Sequence, residues 1–274
     1  MKTERSYQDL YIYMIKGLVS ERDELLFGDA FLGTWVEDNS SFLFFSKPSR
    51  EIVTKLIKNC ADLSLLDNYH FTYEQWQGGG IGPIWVDGFL IVPPWLDMSA
   101  NEGSVKILLD PGVVFGNGLH PTTRDCLRAL TCAKRQGPFD KVLDLGTGTG
   151  ILAVAAARLG AREVLALDLN RLCVKTAGEN VRLNKLVDIV QVVEGRASHF
   201  ADEPADLVVA NIHYNIINEL IEKRDFIDND RLIISGLMRS QYRAVKNQLE
   251  RHHFQILREW DYEMTWFTVL ARKS

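Results

Sequence analysis

The pattern of apolar and polar positions divides the chain into two regions. From about residue 106 onward, short apolar runs alternate with segments of helical periodicity. Near-continuous apolar strands separated by helices indicate a parallel sheet that is covered on both faces. The predicted strands are KVLDLG (141–146), EVLALD (163–168), DIVQVVEG (188–195), ADLVVANI (205–212) and RLIISG (231–236). Two final runs, FQILREWDYEM and WFTVLARK, predict an antiparallel hairpin at the sheet edge.

The first region has a different pattern. Its predicted elements are a strand at 7–17, a short helix at 20–28, a hairpin at 31–47, a helix at 47–60 and a strand near 65–73. This order predicts a small α+β domain of ferredoxin-like type, with one helical face and one sheet face. The following segment is rich in Gly, Pro and Trp, and we interpret it as a linker with one or two short strands. The predicted organisation is a small domain at 1–75, a linker at 76–105 and an α/β domain at 106–274.

Composition and charge narrow the classes of protein. The 274 residues are 46% apolar and carry a net charge of −5, which argues against a broad nucleic-acid-binding surface. The four cysteines form no CxxC pair, so we expect free thiols in a reducing compartment and no metal site. The N-terminus lacks the apolar stretch of a signal peptide, and no apolar run approaches the roughly 20 residues of a membrane span. We therefore expect a cytoplasmic protein that binds neither nucleic acid nor membrane.

The run VLDLGTGTG (142–150) ends in three glycines at alternate positions, which indicates a close approach of the backbone to a ligand. A dinucleotide fingerprint would need a third glycine where Ile151 stands, and no Walker sequence follows. Asp144 lies two residues before Gly146, where a carboxylate suits an ammonium or sulfonium centre better than a pyrophosphate. Asp168 ends the next predicted strand, where a carboxylate can accept both hydroxyls of a ribose. A ribose without phosphates and a cationic amino-acid tail describe S-adenosylmethionine, so we predict a Rossmann-like class I methyltransferase.

A second glycine cluster, LLDPGVVFGNGLHPTT, occupies residues 108–123. Its glycines permit a tight loop, and Phe115 offers an aromatic face. Thr122 and Thr123 can cap the helix that follows and still offer a hydroxyl to a ligand. The loop can lie over the cofactor or serve as an ordinary connection between domains, and periodicity alone does not decide between the two.

The stretch DPGVVFGNGLHPTT closely resembles the DPGxAFGTGxHPTT stretch of the PrmA family, which methylates the eleventh protein of the large ribosomal subunit. The resemblance continues through VLDLGTGTGILAVAAARLGA, LALDLN, ADLVVANI and LIISGL, and upstream through YEQWQ and GPIWVDGFLIVPPW. It therefore covers nearly the whole chain. It implies methylation of lysine side chains and the α-amine of a ribosomal protein, with S-adenosylmethionine as cofactor. It also implies that residues 1–75 hold the protein substrate.

The resemblance also assigns site residues. It places cofactor contacts on Thr123, Gly146, Asp168 and Asn211, and it completes the pocket with Phe115, Gly116, Thr147 and Gly148. The residue patterns described above add Thr122, Asp144 and Gly150 to the predicted cofactor-binding set. His120 belongs to the shared motif, and we interpret it as a residue that shapes the loop.

Two stretches depart from the family pattern. Asn117 and Leu119 stand where the family commonly has threonine. Residues 211–214 read NIHY where the family commonly has NILA, at the position that abuts the transferred methyl group.

Three catalytic candidates follow from this second departure. We expect Asn211 to accept a hydrogen bond from the substrate amine, whereas His213 can relay a proton and Tyr214 can stack on a planar substrate. A methyltransferase for another amine or for a glutamine-type amide therefore remains an alternative. A further alternative is a non-catalytic module that binds the cofactor and a partner protein.

Overall fold

The computed structural model describes residues 7–80 and 82–274, which form two compact units. Among the described residues, the first unit comprises 7–80 and 170–172, and the second comprises 82–169 and 173–274. Residues 1–6 of the predicted small domain lie outside the described residues. Within the described ranges, each helix is too short or too polar to cross a lipid bilayer.

The first unit is an antiparallel sheet with helices. Its strands are β1 (Asp9–Lys16), β2 (Phe31–Glu37), β3 (Ser40–Phe45) and β4 (Ser64–Thr72), and its helices are α1 (Glu21–Glu24), α2 (Arg50–Asn59) and α3 (Tyr73–Gln77). The strand order is β2-β3-β1-β4. Helix α2 buries Val53 and Leu56 in a cluster with Tyr13, Leu43 and Phe45 of the sheet. The ferredoxin-like assignment stays an interpretation of this element order.

A small three-stranded sheet opens the second unit. It contains β5 (Ile84–Val86), β6 (Phe89–Val92) and β7 (Val105–Leu108), with β5–β6 antiparallel and β6–β7 parallel. Phe89, Ile91 and Ile107 are each at most 2% exposed and belong to the main apolar cluster of this unit. The expected linker at 76–105 thus contains core strands, because an apolar FLIV run is stable only when it is removed from water.

A seven-stranded sheet forms the centre of the second unit. Its strands are β8 (Lys141–Leu145), β9 (Glu163–Asp168), β10 (Val190–Glu194), β11 (Leu207–Asn211), β12 (Arg231–Leu237), β13 (Phe254–Tyr262) and β14 (Trp266–Lys273). The order is β10-β9-β8-β11-β12-β14-β13. Strands β8 to β12 pair in parallel, whereas β14 pairs antiparallel with β12 and with β13. The predicted Rossmann-like sheet with an antiparallel terminal hairpin is confirmed.

Helices cover both faces of this sheet. They are α4 (Pro121–Gln136), α5 (Ile151–Arg158), α6 (Arg171–Leu183), α7 (Tyr214–Ile221), α8 (Arg224–Ile227) and α9 (Arg239–Arg251), with a 3-10 turn at Ala197–His199. Strand β11 shows why its residues are almost all apolar. Val209 packs into the cluster on one face, whereas Val208 and Ala210 pack into the cluster on the other.

Candidate functional site

The glycine turn at 146–150 lies beyond the carboxyl end of β8. Each of its backbone N–H groups donates a hydrogen bond to an oxygen atom of the protein. The acceptors are Leu167 O for Gly146 and Thr147 (2.8 and 2.9 Å), the Asp168 carboxylate for Gly148 (3.0 Å), Phe115 O for Thr149 (3.2 Å) and Thr147 O for Gly150 (2.8 Å). Turns that bind a phosphate do so with backbone N–H groups that point at the anion. Because this turn has already committed those donors, it is not built as a phosphate cradle.

Neighbouring chain segments explain why glycine occupies two of these positions. A Cβ on Gly146, at φ +72°, would overlap the Cγ2 of Ile212. A Cβ on Gly148, at φ +56°, would lie 2.6 Å from the carbonyl oxygen of Phe115. Both positions also have the left-handed backbone that favours glycine. The close approach predicted from the sequence is therefore, at these two residues, an approach to the protein itself.

The second glycine cluster lies on the first. The Thr149 hydroxyl donates to the carbonyl oxygen of Gly116 at 2.7 Å, and the neighbouring carbonyl of Phe115 accepts from the Thr149 N–H. The Phe115 side chain is 52% exposed. The structure thus brings Phe115 and Gly116 to the glycine turn. This placement agrees with the interpretation that the loop lies over the cofactor rather than serving only as a connection between domains.

Two carboxylates flank the turn. Asp168, at the carboxyl end of β9, accepts from Gly148, whereas Asp144 lies beneath the turn and is 1% exposed. The Thr147 hydroxyl donates to Asp144 Oδ2 at 2.6 Å, and Asp144 Oδ1 has no hydrogen-bond partner among the described residues. Burial raises the pKa of Asp144 to about 7; the bond from Thr147 and the backbone N–H of Ala153 oppose this effect, and the charge of Asp168 adds to it. The local field therefore favours a cationic ligand.

The start of α4 differs from the expectation that Thr122 and Thr123 cap it. His120 is the N-cap and accepts from the Thr122 N–H at 3.4 Å, because Pro121 occupies the first helical position. Both threonines lie within the helix and are at most 2% exposed. The Thr123 hydroxyl finds no hydrogen-bond partner among the described residues.

An aromatic row runs from the loop to the terminal hairpin. The His120 ring packs edge-on at 5.1 Å from Phe115 and 5.4 Å from Trp266, as measured between ring centroids. Partial burial lowers the pKa of His120, so this ring is neutral near pH 7. The row provides an uncharged wall beside the glycine turn.

The NIHY stretch continues the same sheet edge. Asn211 ends β11 and is half-buried, and its Oδ1 would lie 3.3 Å from a Cβ on Gly236. His213 is exposed and caps α7, where its Nδ1 accepts from the Asn215 N–H at 3.4 Å. Tyr214 opens α7 and packs, half-buried, against the second apolar cluster. The catalytic roles of Asn211, His213 and Tyr214 stay predictions.

Sequence reasoning missed several residues that build the site: Thr149, Asn180, Ile212, Gly236 and Trp266. One signal was available for Asn180. It lies on the helix face that also buries Ala177 and Val181, and the buried Asn184 follows directly after the end of this helix. An unpartnered amide at either position would be unfavourable.

Comparison with known proteins identifies the family. The family model described as ribosomal protein L11 methyltransferase (PrmA) matches residues 74–274. The chain belongs to the PrmA family. Proteins named ribosomal protein L11 methyltransferase from Bacillus cereus and Bacillus anthracis are 39% identical over 194 residues. That match covers 69% of this chain and 60% of those relatives, so the chain spans less than two thirds of the length of the curated PrmA relatives.

A solved structure gives the same result. The crystal structure of a ribosomal protein L11 methylase from Lactobacillus delbrueckii subsp. bulgaricus superposes with a TM-score of 0.61 at 34% identity. It covers 71% of this chain and 100% of that chain. The resemblance to the PrmA family seen in the second glycine cluster is therefore confirmed.

Proposed function

We propose that the protein is an S-adenosylmethionine-dependent methyltransferase that methylates amino groups of a large-subunit ribosomal protein. The observation that carries this proposal is the glycine turn whose N–H groups are all engaged, flanked by two carboxylates. Such a site excludes a phosphate cradle and favours a nucleoside with a positively charged tail. Membership of the PrmA family supports the same chemistry.

The residues present fit this cofactor. The unpartnered, buried Oδ1 of Asp144 and the proximity of Asp168 suit a ligand that brings positive charge. We assign the ribose hydroxyls to Asp168 and the cationic tail to the side of the turn above Asp144. Thr123, Asn211 and the turn residues complete the pocket. The bound cofactor would supply a methyl group on a sulfonium centre, whose leaving group is already good.

The protein's remaining task is to deliver a neutral amine. A lysine with an ordinary pKa of about 10.4 must lose its proton before it can attack. An uncharged wall formed by Phe115, the neutral His120 and Trp266 would desolvate the amine and lower its pKa. The Asn211 side-chain carbonyl would accept a hydrogen bond from the amine and direct its lone pair. No dedicated base is required in this scheme, in which positioning provides the catalysis.

We assign the protein substrate to the first unit. Residues 7–80 contain six Lys and Arg against eleven Asp and Glu, a net charge of −5. An acidic unit attracts a lysine-rich partner and speeds their encounter. This supports the assignment of substrate binding to residues 1–75.

The cofactor assignment is tested by calorimetry. Asp168→Asn keeps the acceptor for Gly148 but removes the charge, and we expect S-adenosylmethionine binding to weaken about 10- to 100-fold. Asp188→Asn, on an exposed turn of the same unit, is the matched control and should bind like the wild type. Equal affinity of all three proteins, or tighter binding of ATP than of S-adenosylmethionine, would refute the pocket.

The substrate assignment is tested with methyl-labelled cofactor and purified ribosomal protein L11. We expect label on L11, and mass spectrometry of its peptides should place it on lysines or the α-amine. Label on a glutamine amide would favour the planar-amide alternative. Cofactor binding without label on any acceptor, including a total ribosomal protein mixture, would favour the non-catalytic module.

A further inference from the structure

Two asparagine side chains, Asn180 and Asn184, form hydrogen bonds with the backbone next to the loop at 111–118, as a neighbouring β-strand would. Asn180 Oδ1 accepts from the Asp110 N–H at 2.8 Å, and its Nδ2 donates to the Asp110 carbonyl at 2.9 Å. Asn184 makes the same pair of bonds with Leu108, at 3.0 and 2.7 Å. The two side-chain amides thus continue the hydrogen-bonding pattern of β7 up to the start of the loop at 111–118.

Asn180 has a contact that Asn184 lacks. Its Nδ2 also donates to the carbonyl oxygen of Thr149, within the glycine turn, at 2.8 Å. Thr149 in turn donates its hydroxyl to Gly116, near the far end of the loop. The side chains of Asn180 and Thr149 are fully buried, at 0% exposure. Besides the backbone bond from the Thr149 N–H to Phe115, two side chains therefore tie the loop to the turn: Asn180 at Asp110 and Thr149 at Gly116.

We propose that Asn180 and Thr149 are positioning residues that hold the loop at 111–118 closed on the glycine turn, so that the cofactor pocket is formed before the cofactor binds. The identity of the ligand in this inference rests on the function proposed above. If a side-chain tie is cut, the backbone bond from Thr149 to Phe115 remains, but a larger fraction of molecules has an open loop that ligand binding must then close. The apparent affinity for the cofactor falls in proportion to the fraction of molecules whose loop is still closed, whereas the rate at saturating cofactor stays nearly the same.

The test uses two matched pairs of variants. Thr149→Val removes the hydroxyl at nearly constant volume, and Thr149→Ser keeps it. Asn180→Asp removes both donors and places a carboxylate near two carbonyl oxygens. Asn184→Asp makes the equivalent change at the carbonyl oxygens of Leu108 and Asn180, without touching the glycine turn. Hydrogen exchange of loop peptides is measured in the ligand-free proteins, and S-adenosylmethionine affinity is measured by calorimetry.

We expect Thr149→Val to raise the dissociation constant about 5- to 10-fold and Asn180→Asp to raise it by more. Both should speed exchange in residues 111–119, and KM for the cofactor should rise while kcat changes less than about twofold. Thr149→Ser should restore the affinity, and Asn184→Asp should lower the melting temperature without weakening binding. Wild-type affinity and exchange in Thr149→Val would overturn the inference, as would equal binding losses in Asn184→Asp and Asn180→Asp. A wild-type protein that does not bind S-adenosylmethionine would overturn the proposed function. Hydrogen exchange in the ligand-free proteins would still decide whether Asn180 and Thr149 hold the loop closed.

Discussion

The glycine turn permits a quantitative test at Gly146. Replacing this residue with alanine places a Cβ on a backbone with φ +72°, where the left-handed conformation costs about 1–2 kcal/mol. The new methyl group would also overlap the Cγ2 of Ile212, and overpacking of this kind costs about 1–3 kcal/mol. We therefore expect Gly146→Ala to lower the free energy of unfolding by about 2–5 kcal/mol.

Urea denaturation separates these two contributions. Gly103 has a similar φ of +80°, but a Cβ there meets no atom within 4 Å, so Gly103→Ala measures the backbone contribution alone. Ile212→Ala removes the Cγ2 that causes the overlap. In the double variant Gly146→Ala/Ile212→Ala, the steric part should disappear and leave a favourable coupling energy of about 1–3 kcal/mol.

Two results would refute this reasoning. The first is a Gly146→Ala variant that is no more destabilised than Gly103→Ala, which would mean that Ile212 moves aside freely. Strict additivity in the double variant would show that the loss at Gly146 has another cause. Unchanged slopes of the unfolding free energy against urea concentration are required in either case, because a changed slope would report a different denatured state.

Two further predictions concern buried charges. The folded-state pKa of Asp144, about 7, lies above the value of about 3.9 expected in the unfolded chain, so the stabilisation from the protonated form is complete below about pH 4 and lost as the pH rises through 7. The stability of the wild type relative to Asp144→Asn, measured by urea denaturation at several pH values, should therefore fall across this range by about 1.4 kcal/mol per pKa unit, and a constant difference would contradict the burial argument. Arg231, 3% exposed, donates to the carbonyl oxygens of Ala133, Gly137 and Pro138 at 3.2, 3.2 and 2.5 Å. Arg231→Met should lower the unfolding free energy by about 2–4 kcal/mol, and Arg231→Lys should recover less than half of the loss because one ammonium cannot replace the guanidinium fork; full recovery would refute this account.

The parts of the fold that could be predicted are those with a local signal. Strands β8 to β12 appeared as apolar runs, and the terminal hairpin appeared as two such runs with little between them. Asp168 could be placed beside the glycine turn because parallel strands bring their carboxyl ends to one edge. These inferences need only the period of the pattern and the direction of the strands.

The parts that could not be predicted depend on distant partners. The bonds from Thr149 to Gly116 and from Asn180 to Asp110 join residues 33 and 70 positions apart, and no spacing in the sequence reveals them. The short strands expected in the linker correspond to β5 and β6, but their place in the core was not predicted, because Gly, Pro and Trp surround an FLIV run of only four residues. Helix α3 has five residues, too few for a periodic signal, although Thr72 and Gln75 form a capping box at its start.

The two departures from the family pattern have a local structural reason. Asn117 Oδ1 accepts from the Leu119 N–H at 2.9 Å, an Asx turn for which a threonine hydroxyl is the weaker equivalent. His213 supplies the side-chain acceptor at the start of α7, which the leucine of NILA cannot provide. Tyr214 then packs against the apolar cluster rather than standing free beside the sheet edge. Each change thus preserves or strengthens the backbone that carries Phe115 and Asn211, and neither demands a substrate other than an amine. The planar-amide alternative consequently depends on Tyr214 leaving its packed position, a rearrangement that an amine substrate does not require.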